Sequence, residues 1–422
     1  MRTSEDQSCY VYLQLPGSMD VVICGRFLQQ DGVGRFVYGR SYLANPRAVE
    51  LEKFELPLRP GTFETARLGG IFGALRDSSP DAWGRRVIER QLGRVDLSEV
   101  DFLLNSPEDR AGALSFGTSP TPPAPVHQFN KVLRLDLLLE EARRVEQELP
   151  LSGHQVSDLV NPGSSLGGAR PKNVVEDEEG LWVAKFPARG DRWNNAAVEG
   201  GMLKLASECG LRAAVSKRTH VAGQDVLLVR RFDRERVDGG YLRHRMVSAL
   251  TVLRADENPQ DRSKWSYILL ADELKRWVGN PDEDLRELFS RMVFNALISN
   301  IDDHPRNHAH PRNHALIAPG PTWSLSPAYD LTPLPQVSLE RHLAMEAGST
   351  QHRRATRQNL MSECGRFRLS KEAAHHLIDT MKAIVSARWR GAIKECGGTD
   401  ADLMAVSRAF DSEGFEYTHY GA

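Results

Sequence analysis

The 422-residue sequence lacks the features of disulfide-rich and membrane-spanning proteins. Its five cysteines are scattered and none forms a Cys-x-x-Cys pair, so neither a disulfide framework nor a cysteine zinc site is predicted. No apolar run approaches the ~18 residues that a membrane-spanning helix needs. The first residues carry acids where a signal peptide would carry bases and an apolar core. We therefore expect a cytoplasmic protein with no membrane partner.

An excess of charge of one sign is also lacking. The 54 basic and 56 acidic residues give a formal net charge of −2, which offers no global electrostatic reason to bind nucleic acid. With 41% hydrophobic and 26% charged residues, the composition is that of a globular protein. The length is sufficient for two or three hydrophobic cores.

Periodicity and composition divide the chain into four segments of an α+β protein. Short β-prone runs followed by a helical pattern predict an N-terminal α/β subdomain over residues 1–118. Clustered prolines, which fit neither a helix interior nor a central strand, predict an extended linker over 119–130. An amphipathic helix, a hairpin and a further helix predict a mixed lobe over 131–234. A long helix with a regular apolar face indicates a mainly helical lobe over 235–422.

Two neighbouring segments could bind phosphate groups. A Gly/Ser-rich segment contains Gly167 and Gly168, whose backbone amides can approach phosphate oxygens, and ends at Lys172, which can supply a charge. Alone, this segment fits a tight surface turn equally well. Lys185 lies in an apolar strand shortly afterwards, as the phosphate-binding lysine of protein kinases does. An edge-strand lysine reaching solvent is the alternative. Glu199, on the following helix, could pair with Lys185.

The polar segment after the long apolar helix holds the densest group of candidate residues. Asn307 follows Asp302 by five residues, which is the spacing of the Asp and Asn in kinase catalytic loops. There the Asp accepts the proton of the substrate hydroxyl and the Asn binds Mg²⁺. Residues 304–309 are repeated at 310–315, so Asn313 has the same neighbours, but the shorter step from Asp302 favours Asn307. A polar helix cap and loop is the alternative interpretation.

Asp330 completes an order of parts that is typical of protein kinases. It follows an expected short strand, where an aspartate that binds the phosphate-bridging metal would lie. Alone, it would be interpreted as a turn residue. In chain order the candidates are a phosphate loop, a strand lysine, a helix glutamate, a catalytic Asp with an Asn, and a metal-binding Asp. This order predicts an enzyme that uses ATP and Mg²⁺ to transfer phosphoryl groups.

Five spaced motifs resemble those of the HipA-type serine/threonine kinases, the toxins of bacterial toxin–antitoxin systems. They are Ser-Ser-Leu-Gly-Gly-Ala-Arg-Pro-Lys at 164–172, Ala-Lys-Phe-Pro at 184–187, Arg-Arg-Phe-Asp-Arg at 230–234, Asn-Ile-Asp-Asp-His-Pro-Arg-Asn-His at 300–308 and Ala-Tyr-Asp-Leu-Thr-Pro at 328–333. Tyr-Leu-Ala-Asn-Pro at 42–46 and Asp-Ser-Ser-Pro-Asp-Ala-Trp-Gly at 77–84 resemble the family's additional N-terminal subdomain. The resemblance therefore covers nearly the whole chain.

The resemblance implies a bilobal, protein-kinase-like fold and a role for each matching residue. Asp302 would be the catalytic base, and Asn307 and Asp330 would bind the metal. Lys185 and Lys172 would hold the phosphates of ATP.

The same resemblance implies a nucleotide hinge and a regulatory serine. Phe232 and Asp233 would lie at the hinge near adenine and ribose. Ser165 would be autophosphorylated, which ejects the phosphate loop and switches the enzyme off. Arg230 stands where the family is expected to have an acid, so a hinge contact at that position is not carried over.

The resemblance also implies partners. They are a small helix-turn-helix antitoxin (HipB-like), operator DNA bound through that complex, and a protein substrate that is an aminoacyl-tRNA synthetase in known relatives. A non-catalytic corepressor in an antitoxin–DNA complex is one alternative, although every catalytic position is filled. A metal-dependent hydrolase that uses His304, His308, His310 and His314 is another, but the duplication itself produces most of these histidines.

Overall fold

The described part of the computed structural model covers most of the chain. It comprises residues 7–107, 110–123, 129–147, 170–256, 259–301, 313–336, 338, 340–349, 352–411 and 413–416. Within these ranges, no helix is both long enough and apolar enough to cross a membrane.

The N-terminal region is built on a five-stranded antiparallel sheet of order β4-β3-β2-β1-β5. Its elements are β1 (Gln7–Gln14), β2 (Val21–Gln30), β3 (Val33–Tyr38), α1 (Arg40–Leu43), β4 (Thr62–Thr65), α2 (Gly73–Asp77), α3 (Ala82–Leu92), α4 (Glu99–Asn105) and β5 (Leu114–Gly117). Val11, Phe27 and Phe36 are fully buried in the core of this region. The strands and helices expected from the β-prone runs and the helical pattern are present.

A second five-stranded sheet has the order β6-β7-β8-β10-β9. Its elements and the associated helices are β6 (Asn130–Lys131), α5 (Leu135–Glu146), β7 (Lys172–Asp177), β8 (Gly180–Lys185), α6 (Asn195–Glu208), β9 (Ser216–Val221) and β10 (Gln224–Arg230). Leu138 and Leu139 of α5 pack on this sheet together with Trp83 and Val87 of α3. Because α3 comes from the N-terminal region, this core contains residues from both sides of the expected linker. The four segment boundaries stay predictions.

The rest of the chain is mainly helical. It contains β11 (Arg234–Val237), β12 (Gly240–Arg243), β13 (Arg245–Ser248), α7 (Ala249–Leu253), α8 (Tyr267–Trp277), α9 (Pro281–Leu297), β14 (Ala315–Ala318), β15 (Ser324–Leu325), α10 (Arg357–Met361), α11 (Lys371–Glu395), α12 (Asp400–Val406) and α13 (Glu413–Glu416). Helix α9 begins with Pro281, whose fixed φ suits the first helical position, and carries three acids in its first turn. Its apolar face lies at the centre of the largest core, as the periodicity predicted.

A buried ion cluster around Asp233 joins the N-terminal region to the segment that follows β10. The Asp233 carboxylate accepts hydrogen bonds from Arg231 (2.7 Å), Arg234 (2.8 Å) and the backbone N–H of Gly112 (2.9 Å). The two guanidinium groups also donate to the carbonyls of Arg110 and Gly112. Burial opposes ionisation of Asp233, but the two guanidinium groups outweigh it and lower the pKa of the carboxyl group. This geometry gives Asp233 a structural role, and its predicted contact with ribose stays untested.

Replacing Asp233 by Asn should destabilise the protein by about 3–5 kcal/mol at neutral pH, because two buried guanidinium groups would lose their counter-charge. The wild-type Asp233 contribution is present above the unfolded-state pKa and is lost as pH falls through the lower folded-state pKa. The difference in unfolding midpoint should therefore shrink in acid. Calorimetric melting of D233N and of the exposed-site control Glu235→Gln measures this. A D233N protein that melts like wild type but binds ATP weakly would support the ribose role instead.

Candidate active site

The predicted strand lysine lies between two carboxylates. Lys185 ends β8, and its Nζ lies 2.5 Å from Glu199 Oε1 and 2.7 Å from Asp330 Oδ1. The ion pair with Glu199 that the sequence suggested is present. The contact with Asp330 joins this pair to a residue far along the chain, in the segment that follows β15.

Close helix packing fixes the position of Glu199. Helix α6 begins at the N-cap Asn194, whose side chain accepts a hydrogen bond from the Ala197 N–H. Further along α6, Gly201 faces α11 so closely that a Cβ atom there would lie 2.8 Å from the Cα of Ile393. A glycine is therefore required for the two helices to approach, although it costs helix propensity. The contact with α11 holds Glu199 against Lys185.

An unusual backbone conformation presents Asp330. Its φ of +60° lies in the left-handed region, which a non-glycine residue rarely adopts and which costs of order 1–3 kcal/mol. Hydrogen bonds just before it hold the chain in place, because Ala328 forms a parallel bridge with Ala213 and its carbonyl accepts from the Ala214 N–H at 2.8 Å. The neighbouring Tyr329 ring lies 5.3 Å from the ring of Phe232. These contacts keep the Asp330 carboxylate near Lys185.

The charges of the three groups depend on one another. Burial disfavours the charged form of Lys185, but Asp330 and Glu199 together outweigh it and raise the pKa of the lysine. Burial also opposes ionisation of Asp330, yet Lys185 lowers the pKa of that carboxyl group. For Glu199, burial has the larger effect and raises the pKa despite the lysine. Lys185 and Asp330 are therefore charged at neutral pH.

The three residues line a cavity of about 630 Å³ between the second sheet and the helical part. Its other polar lining residues include Arg170, Lys172, Arg192, Asn300, Asn313, Thr332 and Gln336. Cationic side chains suit phosphate oxygens, whereas carboxylate and amide oxygens suit Mg²⁺. Asp330 and Asn313 together provide such oxygen donors, so the cavity fits a phosphate ester bound with Mg²⁺.

The predicted site residues fall into two groups within the described structure. Lys172, Lys185, Glu199 and Asp330 line the same cavity. Phe232 and Asp233 are not among its lining residues. The remaining predicted site residues lie outside the described residues and stay predictions: Ser165, Gly167, Gly168, Asp302 and Asn307.

A chain of buried hydrogen bonds connects residues on either side of segment 302–312. Asn300 donates through Nδ2 to Asn295 Oδ1 (3.1 Å), and Asn295 donates to the Tyr267 hydroxyl (3.1 Å). The Tyr267 hydroxyl lies 3.3 Å from Nε2 of His314, which is 3% exposed. His314 of the second copy of the repeat is thus built into the core, directly beside the cavity residue Asn313. Sequence reasoning missed these hydrogen bonds because they join ordinary polar residues of α8 and α9 to residues in the segments after α9 and before β14.

The structure describes one of the four histidines of the repeat, His314. Within the described residues, no group of three or more His, Cys, Asp or Glu side chains could hold a metal ion. His304, His308 and His310 lie outside the described residues.

Two family models match the chain. The HipA-like C-terminal domain matches residues 164–389, and the HipA N-terminal domain matches residues 19–117. The chain belongs to the HipA family. The resemblance of its motifs to this family is thereby confirmed.

Individual proteins that are similar to this chain have low sequence identity to it. A Sinorhizobium fredii protein named Putative kinase Y4mE is 25% identical over 335 residues, covering 73% of this chain and 74% of that protein. HipA of Shewanella oneidensis MR-1, solved with HipB and its operator DNA, is 16% identical with a TM-score of 0.64 and covers 95% of each chain. That likeness shows the fold, so the predicted α+β, HipA-like bilobal architecture is confirmed. The Helicobacter pylori proinflammatory kinase CtkA has a TM-score of 0.36 at 13% identity, and the match covers 58% of this chain and 95% of that chain.

The duplicated repeat offers two asparagines for one metal position. The position of Asn313 in the cavity wall leads us to expect that Asn313→Ala raises the Mg²⁺ concentration needed for half-maximal phosphoryl transfer, because an oxygen donor is lost. Asn307→Ala is the matched control, since the two residues have identical neighbours. Spacing from Asp302 favours Asn307, and a raised Mg²⁺ requirement in N307A alone would establish that assignment.

Proposed function

We propose that this HipA-family protein is an ATP- and Mg²⁺-dependent serine/threonine protein kinase. The observation that carries the proposal is the position of Lys185, held by Glu199 beside Asp330 in the cavity wall. Active protein kinases require a strand lysine paired with a helix glutamate and a metal-binding aspartate nearby. The fold shared with HipA and the name of the Sinorhizobium fredii relative agree with this assignment.

Each residue has a defined part in the proposed reaction. Lys185 binds phosphate oxygens of ATP, and Asp330 with Asn313 would hold Mg²⁺. Bound there, the metal would neutralise negative charge that develops on the phosphates during transfer. Asp302 orients the hydroxyl of a serine or threonine and accepts its proton. The hydroxyl oxygen forms a bond to the γ-phosphorus while the bond to the bridging oxygen breaks, and ADP leaves.

We assign regulation to autophosphorylation at Ser165. Ser165 precedes Lys172 by seven residues in the Gly/Ser-rich segment. A phosphoserine carries close to two negative charges at neutral pH. Such a group would repel the phosphates of ATP if both occupied the same loop, and phosphorylation would switch the enzyme off.

The proposed biological role is that of the toxin in a toxin–antitoxin pair. The Shewanella oneidensis HipA was solved with HipB and operator DNA, which supports a small DNA-binding antitoxin as partner. The kinase would arrest growth by phosphorylating a translation component of the aminoacyl-tRNA synthetase type. A corepressor function in the antitoxin–DNA complex is compatible with kinase activity and is retained as a second role.

Asp302→Ala and Asp330→Ala should each reduce autophosphorylation by at least a hundredfold. Positioning and charge stabilisation supply most of the catalysis in phosphoryl transfer, and each variant removes one of these contributions. Incorporation of labelled γ-phosphate by purified protein measures the effect. Asp303→Ala is the matched control, because it removes the carboxylate next to Asp302. Wild-type rates in D302A or D330A would refute the mechanism. Incorporation of the label by the wild-type protein would exclude a purely non-catalytic corepressor.

A further inference from the structure

Two lysines of the cavity wall lie directly opposite each other. Lys172 and Lys185 are partners in the antiparallel register of β7 and β8, so their side chains project from the same face of the sheet. Like charges in this arrangement repel, and each lysine has a separate counter-charge. Glu199 and Asp330 compensate Lys185, whereas the Nζ of Lys172 lies 2.7 Å from Oδ2 of Asp81.

The counter-charge of Lys172 comes from the N-terminal region. Asp81 is the N-cap of α3, where its Oδ1 accepts the Gly84 N–H at 2.7 Å. The side chains of Asp81 and Lys172 are 0% and 2% exposed. One oxygen of the Asp81 carboxylate therefore caps α3, and the other oxygen pairs with Lys172 in the cavity wall. Trp83 of the same helix packs in the core of the second sheet, which fixes α3 relative to β7.

The environment of Lys172 makes its charge dependent on Asp81. Burial lowers the pKa of Lys172, and the Asp81 carboxylate opposes this shift without cancelling it. Without that carboxylate, the neutral form of the buried lysine would be favoured further. A neutral lysine would no longer attract phosphate.

We propose that Asp81 is a positioning residue for nucleotide binding, through which the N-terminal region sets the affinity of the cavity for the phosphates of ATP. This proposal rests on the proposed kinase function. Lys172 remains a phosphate-binding residue in this proposal. The lysine comes from the second sheet and its counter-charge comes from the N-terminal region. Asp81 itself touches no nucleotide in this account.

The variant Asp81→Asn removes the negative charge of the side chain and keeps the helix cap. An asparagine carbonyl oxygen can still accept the Gly84 N–H, and Asn is as good an N-cap as Asp. We expect D81N to bind ATP at least tenfold more weakly, which corresponds to losing one hydrogen bond between charged groups. Its ATP affinity, measured at pH 7 and at pH 9, should also fall more with rising pH than that of wild type, because burial lowers the pKa of Lys172 and loss of the Asp81 carboxylate lowers it further. Binding of adenosine, which has no phosphate, should be unchanged. Calorimetric titration of the full-length protein measures all three.

A control and a double-mutant cycle separate positioning from a general structural effect. Asp77→Asn is the control, because Asp77 also lies in the N-terminal region and contacts the helical part, accepting from the Ser248 N–H (2.6 Å) and the Thr251 hydroxyl (2.7 Å). D77N should bind ATP like wild type. In the Lys172→Met background, D81N should cause no further loss, since the effect acts through Lys172.

Two results would overturn the proposal. One is a D81N protein with wild-type ATP affinity at both pH values, and the other is an undiminished D81N effect in the K172M background. Failure of the wild-type protein to bind ATP would instead overturn the kinase function itself.

Discussion

The positive charge of Lys185 is the constraint on which the rest of the site depends. Removing a charge from water costs several kcal/mol unless opposite charges and hydrogen bonds compensate it. Here the compensation comes from α6, which α11 holds in place through the close contact at Gly201, and from Asp330 in its left-handed conformation. Elements from three parts of the chain thus converge on one ammonium group. The same convergence creates the cavity.

The N-terminal region is part of this arrangement and not an appended module. Trp83 and Val87 enter the core of the second sheet, and the Asp233 cluster binds backbone groups of residues 110–112. Asp81 extends the connection to the cavity wall through Lys172. These contacts connect the N-terminal region directly to the wall of the cavity.

Local patterns predicted much of the fold, while long-range pairing decided the details of the site. The β-prone runs of β1 to β3 and the apolar periodicity of α9 were readable because their apolar residues form the cores of the fold. The order of Lys185, Glu199 and Asp330 was informative because kinases use it. Asp81 was not predicted, since it lies 91 residues from Lys172 and its sequence context indicates only a helix start.

Other features could not be predicted because local sequence does not contain the deciding information. The two copies of the repeat are identical in sequence, so the sequence does not indicate that His314 is buried or that Asn313 lines the cavity. The ribose contact of Asp233 stays a prediction, and its motif did not indicate that two arginines and the backbone of Gly112 bind the carboxylate in the folded chain.

The most direct test of the central claim is calorimetric titration of Lys185→Met with ATP in the presence of Mg²⁺. Lys185→Arg is the matched control because it keeps the charge. We predict that K185M loses at least tenfold in ATP affinity relative to wild type, since the phosphates lose their charged hydrogen-bond donor. K185R should lose less. Wild-type affinity in a folded K185M protein would contradict the account.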